Sequence, residues 1–257
     1  MADERPWRRA LRIAGAVGVV VVMAAAARDL AGGSSSPGAV SSGRNRLTPS
    51  PSAPSASSDP SAPLLAQLVV ADSDVAPALT VAGLQGGNGL TQPTLDLCNG
   101  TFPSEAMRTA RLQVAAVDGQ ASTVLSTEAV LYSSGAGTTA AFNELRKVAA
   151  GCPSGPVDSP VGEPTVTTHF GPAPDAGWPQ VSGVDRLAFS FDVTDASGET
   201  THSVAVFLRR GRALLGVYFS RPDAPPSVQG RTTLPDVVTL FANRLAKLPV
   251  EAVSTTA

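Results

Sequence analysis

Cys98 and Cys152 are the only two cysteines in the 257 residues, and His169 and His202 the only two histidines. These four side chains bound most of the chemistry open to the chain. A lone thiol such as Cys98, in TLDLCNGTFPSE (residues 94–105), can be a nucleophile, a metal ligand, a lipid attachment point or half of a disulfide. A zinc-type site needs a CxxC pair or neighbouring histidines, and neither spacing occurs. A bacterial lipid anchor needs its cysteine at the end of the N-terminal apolar run, and Cys98 stands far beyond that point. A serine nucleophile would need a GxSxG elbow, which is missing. Gly86-Gly87-Asn88-Gly89 lacks the Lys-Ser/Thr that phosphate binding requires, and there is no GxGxxG. Asp72 with Asp74, and Asp192 with Asp195, flank turns, which turn chemistry explains without a cation. The residues therefore predict no catalytic centre, no metal and no cofactor.

The histidines each fall in a strand-like segment and read as structural. Trp178, in DAGWPQ, is a loop aromatic that either lines a ligand cleft or packs over a sheet edge. With Tyr132 and His169 it makes up the set of candidate ligand contacts. A serine or aspartate within hydrogen-bonding reach of His169 or His202 would favour an enzyme instead. Arg209-Arg210-Gly211-Arg212 reads as a solvated basic turn at the tip of a hairpin.

The N-terminus supplies the compartment. Arg5, Arg8, Arg9 and Arg12 precede an uncharged apolar run from Ile13 to Ala27. Cations before an apolar stretch stay on the cytoplasmic side, so the rest of the chain is expected outside. As a helix the run covers roughly 22 Å, short of the roughly 30 Å hydrocarbon core. That suits a signal peptide, with Ala25-Ala26-Ala27 as an A-x-A cleavage site, and cleavage there would make the protein secreted. Extended over residues 11–31 with its arginines snorkelling, the run becomes a single-pass membrane anchor. Residues 1–31 are thus a signal-anchor or signal peptide. Residues 32–63, dominated by Ser, Pro, Gly and Ala, have the composition of a disordered linker. In an oxidising compartment two cysteines on separate elements pair, and the expected bond is Cys98–Cys152.

Charge excludes one class of partner. Residues 1–63 carry seven Arg against four acids, whereas residues 64–257 carry 12 Lys and Arg against 17 Asp and Glu. A mildly acidic folded part is unsuited to neutralising phosphates, so no nucleic-acid binding is expected.

The elements that must position these residues follow from periodicity and turn signals. Residues 64–249 form the expected domain, with 250–257 as a tail. A short strand near 92–97 precedes two longer ones, at Arg108–Val117 and Thr123–Tyr132, joined by Asp118-Gly119. TTAAFNELRKVAAG has helical spacing, with Thr138 or Thr139 as cap, Glu144 facing away from the apolar stripe, and Gly151 as the stop. Strands follow at Pro164–Phe170, Asp185–Thr194, Thr201–Arg209 and Arg212–Ser220, and a last helix at Leu234–Leu248. The class is α+β: an antiparallel sheet of about five to six strands packed with helices in two layers, in the order β-β-α-β-β-β-β-α.

The run STEAVLYSSGAGTTAAFNELRKVAAGCP resembles the strand–helix–cysteine unit of the PknH-like extracellular sensor domains of actinobacterial envelope proteins. VAVFLRRGRALLGVYFS and LPDVVTLFANRLAKL resemble the final hairpin and C-terminal helix of that family. The resemblance covers roughly residues 64–249. It implies an antiparallel sheet flanked by helices, a cleft, and display outside the cytoplasmic membrane. Two departures matter: those domains often carry two disulfides where this chain can form one, and a kinase catalytic region is not present. The expectation is an extracytoplasmic, membrane-tethered sensor-like domain that binds a small molecule, lipid or envelope polymer without catalysis. An interaction or scaffold module is the alternative, and a secreted hydrolase a distant third.

Overall fold

The computed structural model describes residues 59–84, 86–157, 166–194 and 197–254. The expected signal-anchor, its cleavage site, most of the linker, Pro164 and the Asp195 end of one turn lie outside the described residues. Among the described residues no helix is long and apolar enough to cross a membrane.

Among the described residues eight strands form one antiparallel sheet. In chain order they are β1 (Thr80–Gly83), β2 (Arg108–Val117), β3 (Thr123–Tyr132), β4 (Pro156–Val157), β5 (Val166–Phe170), β6 (Asp185–Thr194), β7 (Thr200–Arg210) and β8 (Ala213–Phe219). Their order across the sheet is β1-β2-β3-β8-β7-β6-β5-β4. The α+β class and the antiparallel pairing are as expected, and the sheet is larger by its two edges. β1 has four residues and β4 two, too few to show an alternation. The expected strand near 92–97 does not form. The N–H groups of Thr94 and Leu95 donate instead to the Glu105 carboxylate, at 2.9 and 3.0 Å, which leaves no ladder to join.

Helices α1 (Gly135–Ala150) and α2 (Leu234–Ala246) lie on opposite faces of this sheet. Along β7, Val204, Val206 and Leu208 join the core cluster of Val237, Val238, Phe241 and Leu245 from α2. The alternate residues Ala205 and Phe207 join that of Ala141, Phe142 and Leu145 from α1. The expected helix-on-sheet pair of layers is thus completed by a third. The cause is visible in ALLGVYF, the whole of β8, whose seven residues are all buried: a strand covered on both faces reads as a continuous apolar run. The cap of α1 is Ser134, whose Oγ accepts from Gly137 N, one turn before the expected threonines. Thr138 and Thr139 donate to Gly135 O inside the helix. Thr233 caps α2, with Pro235 in its first turn.

The basic tip also differs from its expected form. Arg212 is buried rather than solvated. Its guanidinium donates to Ala252 O, to Tyr132 O and to both carboxylate oxygens of Asp59. Arg210 reaches the Leu248 carbonyl. Residues 59–63, in the composition-defined linker, and the short helix α3 (Val250–Val253), in the expected tail, are therefore packed parts of the domain. Gly211 has φ +54, and a Cβ there would overlap the Val253 carbonyl oxygen. Gly211→Ala accordingly loses about 1–3 kcal/mol; thermal unfolding reads this directly, and an unchanged midpoint would refute the close approach.

Candidate functional site

Cys98 and Cys152 are joined, with Cα atoms 5.7 Å apart and a sequence separation of 54. Each half is placed by a different element. Leu95 and Leu97 are buried in the cluster beneath α1, and they aim the intervening segment at the helix. Cys98 and Asn99 then both take left-handed backbone, at φ 52 and 51, a conformation that non-glycine residues adopt rarely. Gly100 follows, so close to α1 that a Cβ would stand 2.6 Å from the methyls of Val148. Cys152 comes from the other side, directly after the Gly151 that ends α1.

Around this bond opens a cleft of about 560 Å³. One wall is Cys98, Gly100, Thr101 and Pro103; the other is Glu144, Lys147 and Val148 of α1, continuing to Gly151 and Pro153. Glu144 does not face open solvent as expected. It accepts from Ser104 N at 3.2 Å and from Ser104 Oγ at 2.5 Å, which ties α1 to the 3-10 turn Pro103–Met107. Lys147 is exposed at the cleft and lies in the last helical turn, where a cation complements the carbonyl end of the dipole.

Beneath the cleft wall lies a layer of buried charge. Arg108 pairs with Glu105 at 3.0 Å and donates to the carbonyls of Leu90 and Gln92. Arg111 pairs with Glu128 and also donates to Gly86 O and Gln113 Oε1. The Tyr218 hydroxyl lies 3.4 Å from Glu128 Oε2, and burial holds its pKa well above the ordinary value. Burial likewise raises Tyr132, with the Glu105 charge adding to it. Glu105 is raised by burial against the opposing pull of Arg108 and two backbone N–H groups. Asp96 is pushed up to about 6, first by burial and then by the neighbouring Glu105. Its Oδ2 is buried and has no hydrogen-bond partner among the described residues.

The three candidate ligand contacts do not converge, and none lines the cleft. Tyr132 is buried in the cluster under α1. Trp178 packs against the cluster on the opposite face, with the Arg186 guanidinium 5.6 Å from its ring centre. His169 is exposed on β5, opposite Asp192 in the register. Asp192 is also opposite His202, and its Oδ1 is 2.7 Å from His202 Nδ1. This exposed pair meets the stated condition, an aspartate within hydrogen-bonding reach of a histidine, but nucleophilic catalysis also needs a serine or cysteine beside the histidine. Among the described residues no serine or cysteine is hydrogen-bonded to either histidine, so the pair stands as a cross-strand contact. The sequence did not reveal Asp96, Glu144 or Lys147 as site residues. Their one signal was the Gly151-Cys152 stop, which fixes the last turns of α1 next to whatever Cys98 carries.

No family model matches this chain, and no curated protein matches it. Solved structures similar to it include two from mycobacteria. One is the extracellular domain of PknH from Mycobacterium tuberculosis, with TM-score 0.43 and 11% identity over 72% of this chain and 96% of that one. The other is an uncharacterized Mycobacterium smegmatis protein, the Rv0999 ortholog, with TM-score 0.37 and 14% identity over 74% of this chain and 95% of that one. Both likenesses concern the general course of the chain, and no residue role passes from either structure to this one.

Proposed function

We propose that this is a non-catalytic, sensor-type binding domain that works outside the cytoplasm. It takes a small molecule, or the terminal group of a lipid or envelope polymer, in the cleft beside the Cys98–Cys152 bond. The observation that carries this reading is the cleft itself, whose 560 Å³ fall within the range of small-ligand sites. Its walls are mostly apolar, with Lys147 and Glu144 as the charged contacts. The disulfide supports the compartment, because such bonds persist where the surroundings are oxidising. The arginine-flanked run Ile13–Ala27 supports a membrane tether, with the domain hanging from residues 32–58. A scaffold module would instead need a contiguous apolar surface. Among the described residues the exposed large hydrophobics are Leu90 and Val250.

Native mass spectrometry of the full-length protein, purified from its own envelope, tests the reading. Thr101→Trp places an indole in the cleft without touching the core. The wild type is expected to carry an adduct of fixed mass that Thr101→Trp has lost. An adduct held equally by both proteins, or by neither, would overturn the cleft as the binding site.

A further inference from the structure

The acids and bases of the buried layer do not balance. Arg108 is committed to Glu105 and Arg111 to Glu128. Asp96 is the third carboxyl in that layer, 5% exposed, and neither guanidinium is bonded to it. The Glu105 carboxylate accepts the N–H groups of Thr94 and Leu95, so a negative charge sits at the residues immediately before Asp96. Ionising Asp96 would bury a second carboxylate beside the first, with no counter-ion and with an oxygen that has no donor among the described residues. A buried charge without a partner is among the costliest arrangements in a protein, whereas a protonated carboxyl there is tolerable.

The segment that carries Asp96 is also the wall of the cleft. Two residues on comes Cys98, then Asn99, both held in left-handed backbone, then Gly100 against Val148. Leu97 O accepts from Gly100 N at 2.9 Å, which closes this turn on itself. Backbone held in such a conformation persists only while its surroundings enforce it. The disulfide pins the far end of the segment, so a displacement at Asp96 is taken up between residues 94 and 100.

We propose that Asp96 is a proton-binding site and that the stimulus read by this domain is the acidity of its compartment. With Asp96 protonated, the segment 94–100 lies packed under α1 and the cleft wall is closed up. With Asp96 ionised, the segment is driven from the buried layer and the wall loosens. The pKa of about 6 brings the switch within the range an envelope protein meets. Other titratable and charged groups surround the segment. They are Glu105 and Arg108 at its start, Glu128, Tyr132 and Tyr218 across the sheet, and Glu144 and Lys147 on α1. This inference deepens the sensor reading and needs no ligand in the cleft, so it can fail while cleft binding stands.

The test uses the full-length chain in detergent, as wild type and as Asp96→Asn, an isosteric change that leaves the layer neutral. With aspartate carboxyls labelled with carbon-13, one resonance is expected to titrate near pH 6 and to be missing from Asp96→Asn. Hydrogen exchange over residues 92–100, corrected for the intrinsic dependence on pH, is expected to rise several-fold between pH 5 and 7.5 in the wild type. It should stay flat in the variant. If the resonance lost in Asp96→Asn titrates below pH 4.5, the proposal is overturned. Equal exchange profiles for the two proteins would overturn it as well.

Discussion

Arg212→Ala is expected to lower the stability of the domain by about 3–5 kcal/mol, the usual effect of removing one partner from a buried ion pair. The side chain it removes fills four roles at once. It donates to Ala252 O in α3 and to Tyr132 O in β3, and it clamps both oxygens of Asp59. For a domain of this size that loss corresponds to a fall of about 6–20 °C in the unfolding midpoint. The pair also has a pH signature. Hydrogen bonding to Arg212 outweighs burial and holds the Asp59 carboxyl at about 2, below its ordinary 3.8. A depressed carboxyl stabilises the fold above its unfolded value and ceases to do so as pH falls through the folded one. The contribution, about 2 kcal/mol, is complete above roughly pH 4 and is lost towards pH 2. Thermal scans at pH 7 and pH 2.5 should therefore differ less for Arg212→Ala than for the wild type. A midpoint within 2 °C of wild type at pH 7 would show that the clamp carries no stability.

Removing the disulfide is expected to cost a similar amount by a different route. Closing a loop of 54 residues constrains the unfolded chain by about 4 kcal/mol in the loop-entropy account. The doubly substituted Cys98→Ser, Cys152→Ser protein should unfold at correspondingly lower denaturant, with a steeper slope because the unfolded chain without the cross-link exposes more surface. A second consequence is local. Without the bond, the left-handed turn at Cys98 and Asn99 loses what holds it to α1, and protease cleavage should appear first between residues 92 and 103. Cleavage elsewhere, with that segment intact, would count against the disulfide as the fastening of the cleft wall.

Long periodic elements were legible in the sequence because burial wrote them there. β6 spans Asp185–Thr194 as the alternation of Leu187, Phe189, Phe191 and Val193 indicates, and Val237, Val238, Phe241 and Leu245 mark the buried face of α2. The Cys98–Cys152 bond was legible from two residues and a compartment. What was not legible came from long-range polar contacts. Nothing local distinguishes Arg212 from its neighbours Arg209 and Arg210. Its burial depends on Asp59, 153 residues away in the chain, which composition alone assigns to a linker. The buried layer was hidden in the same way. Arg111, Gln113 and Glu128 look like the solvent-facing positions of a two-layer sheet, and they are covered because loop residues such as Gly86 lie across them. The ligand guesses failed to converge for a related reason: Tyr132 and Trp178 belong to opposite faces of a sheet that the sequence suggested was covered on one.

The clamp at Arg212 makes the described chain a ring. Asp59 at its start and Ala252 near its end are held by one guanidinium, so the fold is closed by an ion pair where most domains leave two loose ends. A pull transmitted along the preceding residues would not peel a terminal strand from the sheet edge. It would load Arg212 and, through it, the carbonyls of β3 and α3 together, so the domain would yield there as a unit or hold.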